Sequence, residues 1–204
     1  MNLLTDLDKI KENFPHHSKC QIRTLLIILG CILELRTVCL YKCKDKVGQL
    51  TGKKKRKSES NYKRLLRFYA IKKINSFCNG IFMLLLKLID ISGIHLVLDR
   101  TNWKIGKKNI NILTLGILFK DCFIPLCWQQ LNKRGNSNFS ERENLMNRFI
   151  KLWDKAGKSI KSMVLVADRE FIGPDWFNYL SKNNLSFVFR LKENMYFELV
   201  RRDG

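Results

Sequence analysis

His95-Leu96-Val97-Leu98-Asp99 and, further on, Met163-Val164-Leu165-Val166-Ala167-Asp168 share one form: a short apolar run that stops at an aspartate. The second run is continuous, as expected of a strand buried on both faces. The first reads as a strand ended by Asp99. Between them, Asn109 to Phe119 is strand-like and closes in a tight turn at Lys120-Asp121. Ile124 to Leu131 returns, with Pro125 marking a strand start or an edge position. After a polar loop, Lys133 to Phe139, Ser140-Glu141-Arg142-Glu143 reads as a capping box that opens a helix. Leu145, Met146, Phe149, Ile150, Leu152 and Trp153 form its apolar face, and Gly157 is a suitable stop. Gly173-Pro174 opens a short helix, and Ser186 to Arg190 reads as a fifth strand. The order is β-β-β-α-β-α-β. Three antiparallel strands followed by a crossover helix to a new strand predict a mixed sheet with helices on its faces.

Upstream the period changes. Ile22, Leu25, Leu26, Leu29 and Leu33 recur at three- and four-residue steps, predicting a helix with one buried face. Leu65, Leu66, Phe68, Tyr69 and then Phe82, Leu85, Leu86, Ile89 predict two more. The fold class expected is therefore α+β, with a helical region over residues 1–92 and a sheet domain over 93–204.

Charge narrows the partners. Thirty-eight Lys and Arg stand against 18 Asp and Glu, a formal excess of +20 with a pI near 9.9. A field of that sign draws polyanions, and counterion release makes nucleic acid the natural partner, although an acidic membrane surface or ribosomal RNA would satisfy the same arithmetic. Lys42 to Lys73 holds thirteen basic residues against Asp45 and Glu59, an excess of eleven that exceeds half the total. Its centre, Lys53-Lys54-Lys55-Arg56-Lys57, cannot pack against itself and reads as a loop, either a solvated linker or an arm tracking phosphates. The helix after it presents Lys63, Arg64 and Arg67 on neighbouring turns. The seven cysteines lack paired CxxC spacing and fall mostly in apolar runs, which argues for reduced thiols and against a zinc site. Leu25 to Leu33 is interrupted by Glu34 and is too short to span a membrane, which takes about 20 residues.

If the strands ending at Asp99 and Asp168 are parallel neighbours, both carboxylates emerge at one sheet edge. There they could share a hard divalent cation, since Mg²⁺ takes oxygen ligands and keeps waters for substrate phosphates. A strand-ending aspartate is also a common turn former.

Several blocks in fixed order add to this. Leu98-Asp99-Arg100-Thr101-Asn102-Trp103-Lys104 with Gly106 and Asn109 to Leu113 resembles the first catalytic block of DDE transposases from bacterial insertion sequences, in the group called IS-four. Pro125-Leu126 with Trp128, Gly135 to Asn138 and Glu141-Arg142 resemble the stretch after it. Ala167-Asp168-Arg169-Glu170-Phe171-Ile172-Gly173 with Trp176 and Leu180 resembles the second block. The resemblance covers Leu96 to Asn194 closely and Gln21 to Phe68 more loosely.

The resemblance implies a ribonuclease-H-like fold with its first and fourth strands side by side. It implies metal-dependent cleavage of DNA and transfer of the freed strand during transposition. Asp99 and Asp168 would be the first two acids and the ligands of Mg²⁺ or Mn²⁺. Arg100, Lys104 and Arg169 would lie near the phosphates, and Asn102 and Trp103 would support DNA or pack. The implied partners are double-stranded DNA, at the element's ends and its target, and a second subunit in a homodimer. No membrane is implied, and the setting would be the bacterial cytoplasm at the nucleoid.

The family's third acid, a Glu in a Tyr-x-x-Arg-x-x-x-Glu pattern with a later Lys, has no counterpart in these 204 residues. Glu193 and Glu198 lack the Tyr and Arg partners, and the side chain of Glu170 should point away from Asp168. The expectation is thus an incomplete sheet domain, the front part of a transposase that is inactive alone. The alternative is a non-catalytic DNA-binding remnant or regulator of the full enzyme.

Overall fold

The computed structural model describes residues 7–52, 57–71, 74–88, 95–191, 193 and 195. The chain divides into two compact units, Met1–Leu88 and Ile89–Gly204.

The first unit is helical: α1 (Leu7–Lys11), α2 (Lys19–Leu35), α3 (Leu40–Leu50), α4 (Ser58–Tyr69) and α5 (Ile74–Leu88). A reciprocal cap starts α2, with the Ser18 hydroxyl accepting from Gln21 N–H and the Gln21 side chain accepting from Ser18 N–H. Ile22, Leu25, Leu26, Ile27, Ile28 and Cys31 of α2 are buried with Cys43 and Val47 of α3, Leu65 and Phe68 of α4, and Phe77 of α5. His17 stacks on Phe77 at 3.5 Å between ring centroids, and Phe68 approaches the same ring at 5.0 Å. Two sequence expectations are corrected here. Leu29 and Leu33 lie on the outer side of α2, because the buried face turns through Ile28 and Cys31 instead. The start of the basic stretch lies in a full helix, α3, whose inner residues Cys43 and Val47 fall four apart, with Lys42 exposed and Lys44 and Lys46 paired to Glu59 and Glu34.

α2 and α3 meet at 107° across four residues, with Arg36 in the left-handed conformation (φ 49°) ending α2. Among the described residues, no single helix is long and apolar enough to cross a membrane.

The second unit is α+β. A five-stranded mixed sheet runs in the order β3-β2-β1-β4-β5, with β1 (His95–Ile105), β2 (Lys108–Phe119), β3 (Cys122–Gln130), β4 (Val164–Ala167) and β5 (Ser186–Phe189). β1, β2 and β3 form an antiparallel meander, and β4 and β5 run parallel to β1. The first and fourth strands are therefore side by side, the order that a ribonuclease-H-like fold implies. The β2–β3 turn places both Lys120 and Asp121 at positive φ (47° and 63°), the demand of a type I′ hairpin. Pro125 sits in edge strand β3, where the register shifts opposite Leu115 and Gly116, a position at which proline is tolerated.

One face of the sheet carries the core. Leu96, Leu98, Leu113, Leu115, Ile117, Leu165 and Ala167 are buried there, with α6 (Phe139–Lys155) supplying Leu145, Met146, Phe149 and Trp153. Phe177 of α7 (Pro174–Lys182) stacks on Phe187 of β5 at 5.1 Å. The other face is more open. Val164 and Val166 are half-buried, so β4 is covered fully on one side only, not on both as its apolar run suggested.

Two boundaries also differ from the sequence reading. The capping box of α6 is Asn138–Glu141, not Ser140–Glu143: the Asn138 side-chain oxygen accepts from Glu141 N–H at 2.9 Å, and the Glu141 carboxylate accepts from Asn138 N–H at 2.7 Å. An asparagine caps as well as a serine, so two frames competed two residues apart. And β1 does not end at Asp99. It runs on to Ile105 beside β2, because a ribbon open to solvent needs no apolar alternation to persist.

Candidate functional site

Asp99 lies where the neighbour of β1 changes. The parallel pairing of β1 with β4 ends at Leu98 opposite Ala167, so Asp99 and Asp168 are the next residues in line on adjacent strands. Asp168 stays extended (φ −80°, ψ 168°), which continues the alignment by one residue. Neighbouring strands lie about 4.8 Å apart. Alternation puts Asp99 on the face of Val97 and Asp168 on the face of Val166, which is one and the same open face. Both carboxylates are exposed. The backbone N–H of Arg169 donates to Asp168 Oδ1 at 2.8 Å and starts a single 3-10 turn, Arg169–Phe171. Among the described residues no ion pair engages either carboxylate, and no group of three or more His, Cys, Asp and Glu gathers there or elsewhere.

No family model matches the chain, and no curated protein matches it. Among solved structures it is similar to the HTLV-2 integrase catalytic core domain in complex with magnesium, in its dimeric form. The identity is 11% and the TM-score 0.32, over 48% of this chain and 61% of that one.

Behind the two acids, on the core face, sits a polar network that sequence reading did not find. Arg100 grips Glu170 with two nitrogens: Nη2 donates to Oε2 at 2.8 Å and Nε donates to both carboxylate oxygens at 3.0 and 3.2 Å. It also donates to Asn111 Oδ1 and Asn136 Oδ1, at 3.3 and 3.2 Å. Asn111, fully buried, donates in turn to the carbonyls of Lys133 and Gly135. Arg142, buried in the first turn of α6, donates to the carbonyls of Ser137, Glu170 and Phe171 and to the Ser137 hydroxyl. Burial lowers the pKa of Arg142, and the nearby carboxylates of Glu170 and Glu141 oppose that shift. The network joins the residue after Asp99 to the turn after Asp168. The signal for it was Asn111, an amide inside the apolar run Ile110 to Leu118.

The remaining sequence-derived residues divide by exposure. Arg100 is turned to the core face and engaged with Glu170, whose carboxylate is thereby committed there. Lys104 and Arg169 are exposed, as are Asn102 and Trp103. Lys57, Lys63 and Arg67 are exposed on or beside α4. Arg64 donates through Nε and Nη2 to the Thr24 hydroxyl at 3.1 and 2.9 Å, joining α4 to α2. Lys53, Lys54, Lys55 and Arg56 lie outside the described residues, as does Glu198. Thr114, directly opposite Asp99 on β2, is a buried neighbour of the acid that sequence reading missed.

Proposed function

We propose that this chain is a DNA transposase of the bacterial insertion-sequence type. It binds duplex DNA at the element's ends and at its target, and its chemistry is metal-dependent strand cleavage and transfer. The observation that carries this reading is the parallel register ending at Leu98 and Ala167, which brings Asp99 and Asp168 into line on one open face.

The donor set fits a hard divalent cation: two exposed carboxylates on adjacent strands, with no cation paired to them among the described residues. Asp99 and Asp168 would hold it. Mg²⁺ or Mn²⁺ held there would supply positive charge and Lewis acidity toward a phosphodiester. The chain's own residues do the rest. Arg169, next to Asp168, adds positive charge beside the phosphates, where charge develops, while Lys104 lies five residues along β1 from Asp99 and on its opposite face. Arg100, committed to Glu170, holds the two acid-bearing segments in position from behind. The helical region carries the bulk of duplex binding through Lys57, Lys63 and Arg67 together with Lys53, Lys54, Lys55 and Arg56. Assembly as a homodimer at the bacterial nucleoid belongs to the same proposal.

Titration calorimetry with Mn²⁺ tests the site. The wild-type chain binds the ion, and Asp99→Asn and Asp168→Asn each weaken binding at least tenfold. Equal binding by all three proteins would remove the metal site and leave a non-catalytic DNA-binding protein.

A further inference from the structure

Beyond Asp99 the β1–β2 hairpin leaves the sheet. β4 stops opposite Leu98, and the ladder with β3 begins only at Ile112 opposite Gln130. The Leu131 N–H reaches the Asn111 carbonyl at 2.7 Å, the last backbone–backbone bond on that flank among the described residues. From Asn102 and Ile110 outward the two strands pair only with each other, through Trp103 opposite Ile110, Lys104 opposite Asn109 and Ile105 opposite Lys108. Gly106 at the tip has φ +58° while Lys107 does not take positive φ, the pattern of a type II′ turn. Residues 102 to 109 are all exposed.

The composition of this ribbon is one-sided. It carries Lys104, Lys107 and Lys108 and no acidic residue, and none of the three lysines is ion-paired among the described residues. Trp103 and Ile105, 56% and 64% exposed, stand on the face that also bears Asp99. An aromatic and a β-branched side chain left in water, flanked by unpaired lysines, are poorly explained by folding alone. They suit a polyanion whose surface also has apolar patches.

We infer that the ribbon from Asn102 to Asn109 enters the major groove of duplex DNA, with Lys104, Lys107 and Lys108 on the phosphates that border it. The dimensions agree. The groove is about 12 Å wide and about 8.5 Å deep and admits a two-stranded ribbon. From Asn102 to Gly106 the strand extends about 14 Å, enough to reach the groove floor. Trp103 and Ile105 then meet base edges, where thymine methyl groups are the apolar feature. The major groove of duplex RNA is too narrow and deep for side chains to read, so the ribbon favours DNA. The inference rests on the DNA reading above but needs no metal and no cleavage.

The test is the salt dependence of binding to a random-sequence DNA duplex, for the full chain and for Lys104→Ala/Lys107→Ala/Lys108→Ala. All three positions are exposed, and an unchanged melting temperature verifies folding. Each phosphate contact contributes about 0.9 to the slope of log K against log salt, so the triple variant should show a slope shallower by about 2.7. Ile105→Ser should weaken DNA binding without changing the slope, and a duplex RNA of equal length should show no effect of Ile105→Ser. A wild type that binds DNA with the same slope as the triple variant overturns the ribbon while leaving the DNA reading intact. Equal effects of every substitution on DNA and RNA overturn groove entry. A wild type that binds no DNA overturns the DNA reading itself, and the ribbon assignment with it.

Discussion

Arg100 follows Asp99 by one residue, and that single step sends its side chain through the sheet to the core face. There its bidentate grip on Glu170 is largely removed from water, with side-chain exposures of 13% and 21%. Breaking such a pair leaves one charge buried and unmatched, which costs about 3 kcal/mol. Arg100→Met and Glu170→Gln should each lower the unfolding free energy by about that amount in urea titrations, and the double variant should lose less than the sum. Changes below about 0.5 kcal/mol would mean that the pair does not hold this region together. In the helical unit, burial pushes the Cys31 thiol up to about 11, with Cys43 adding to the shift. The folded chain therefore keeps a proton that an unfolded thiol of ordinary pKa, 9.0, gives up. Stability from this group is complete below about pH 9 and is lost as pH rises towards 11. Thermal melts across that window should show the decline, and Cys31→Ala should remove this part of it.

At the level of elements, the start of α6 offers a clean discrimination. Asn138→Ala should destabilise by about 1 kcal/mol, because the cap to Glu141 is lost. Ser140→Ala should stay within about 0.5 kcal/mol, since Ser140 lies inside the helix and exposed. Gly116 is tight: a Cβ there would come within 2.4 Å of the Ile124 carbonyl and 2.6 Å of the Phe123 ring. Gly116→Ala should cost about 1–3 kcal/mol in the same titrations. These elements also show what a sequence can disclose. β4 and the first half of β1 were legible because an apolar run that stops at an aspartate has few other readings, and the turn at Lys120-Asp121 was legible from its residue types. α3 was hidden, since Cys43 and Val47 are a sparse stripe among Lys42, Lys44 and Lys46, whose charge dominates any local average of the sequence. The outer half of β1 was hidden for the opposite reason. A ribbon exposed on both faces imposes no alternation, so nothing in Thr101 to Ile105 carried the strand beyond Asp99. The Arg100–Glu170–Asn111–Arg142 network depends on partners up to 70 residues apart and has no local signature beyond one amide in an apolar strand.

On the scale of the whole molecule, two units carry separate properties. The helical unit holds much of the positive charge, and the sheet unit holds the acid pair. The charge of the helical unit suits a polyanion but supplies no chemistry. Within the sheet unit, the pairing of β1 with β4 converts two distant aspartates into neighbours. The most direct test of that link is iron-mediated cleavage of the protein backbone. Fe²⁺ occupying a Mg²⁺ site generates hydroxyl radicals that cut the nearby chain when ascorbate and peroxide are present. Cuts are expected in two places, around Asp99 and around Asp168, both suppressed by excess Mg²⁺ and both lost in Asp99→Asn and in Asp168→Asn. Cuts at only one of the two segments, or cuts that persist unchanged in both variants, would contradict a shared metal site.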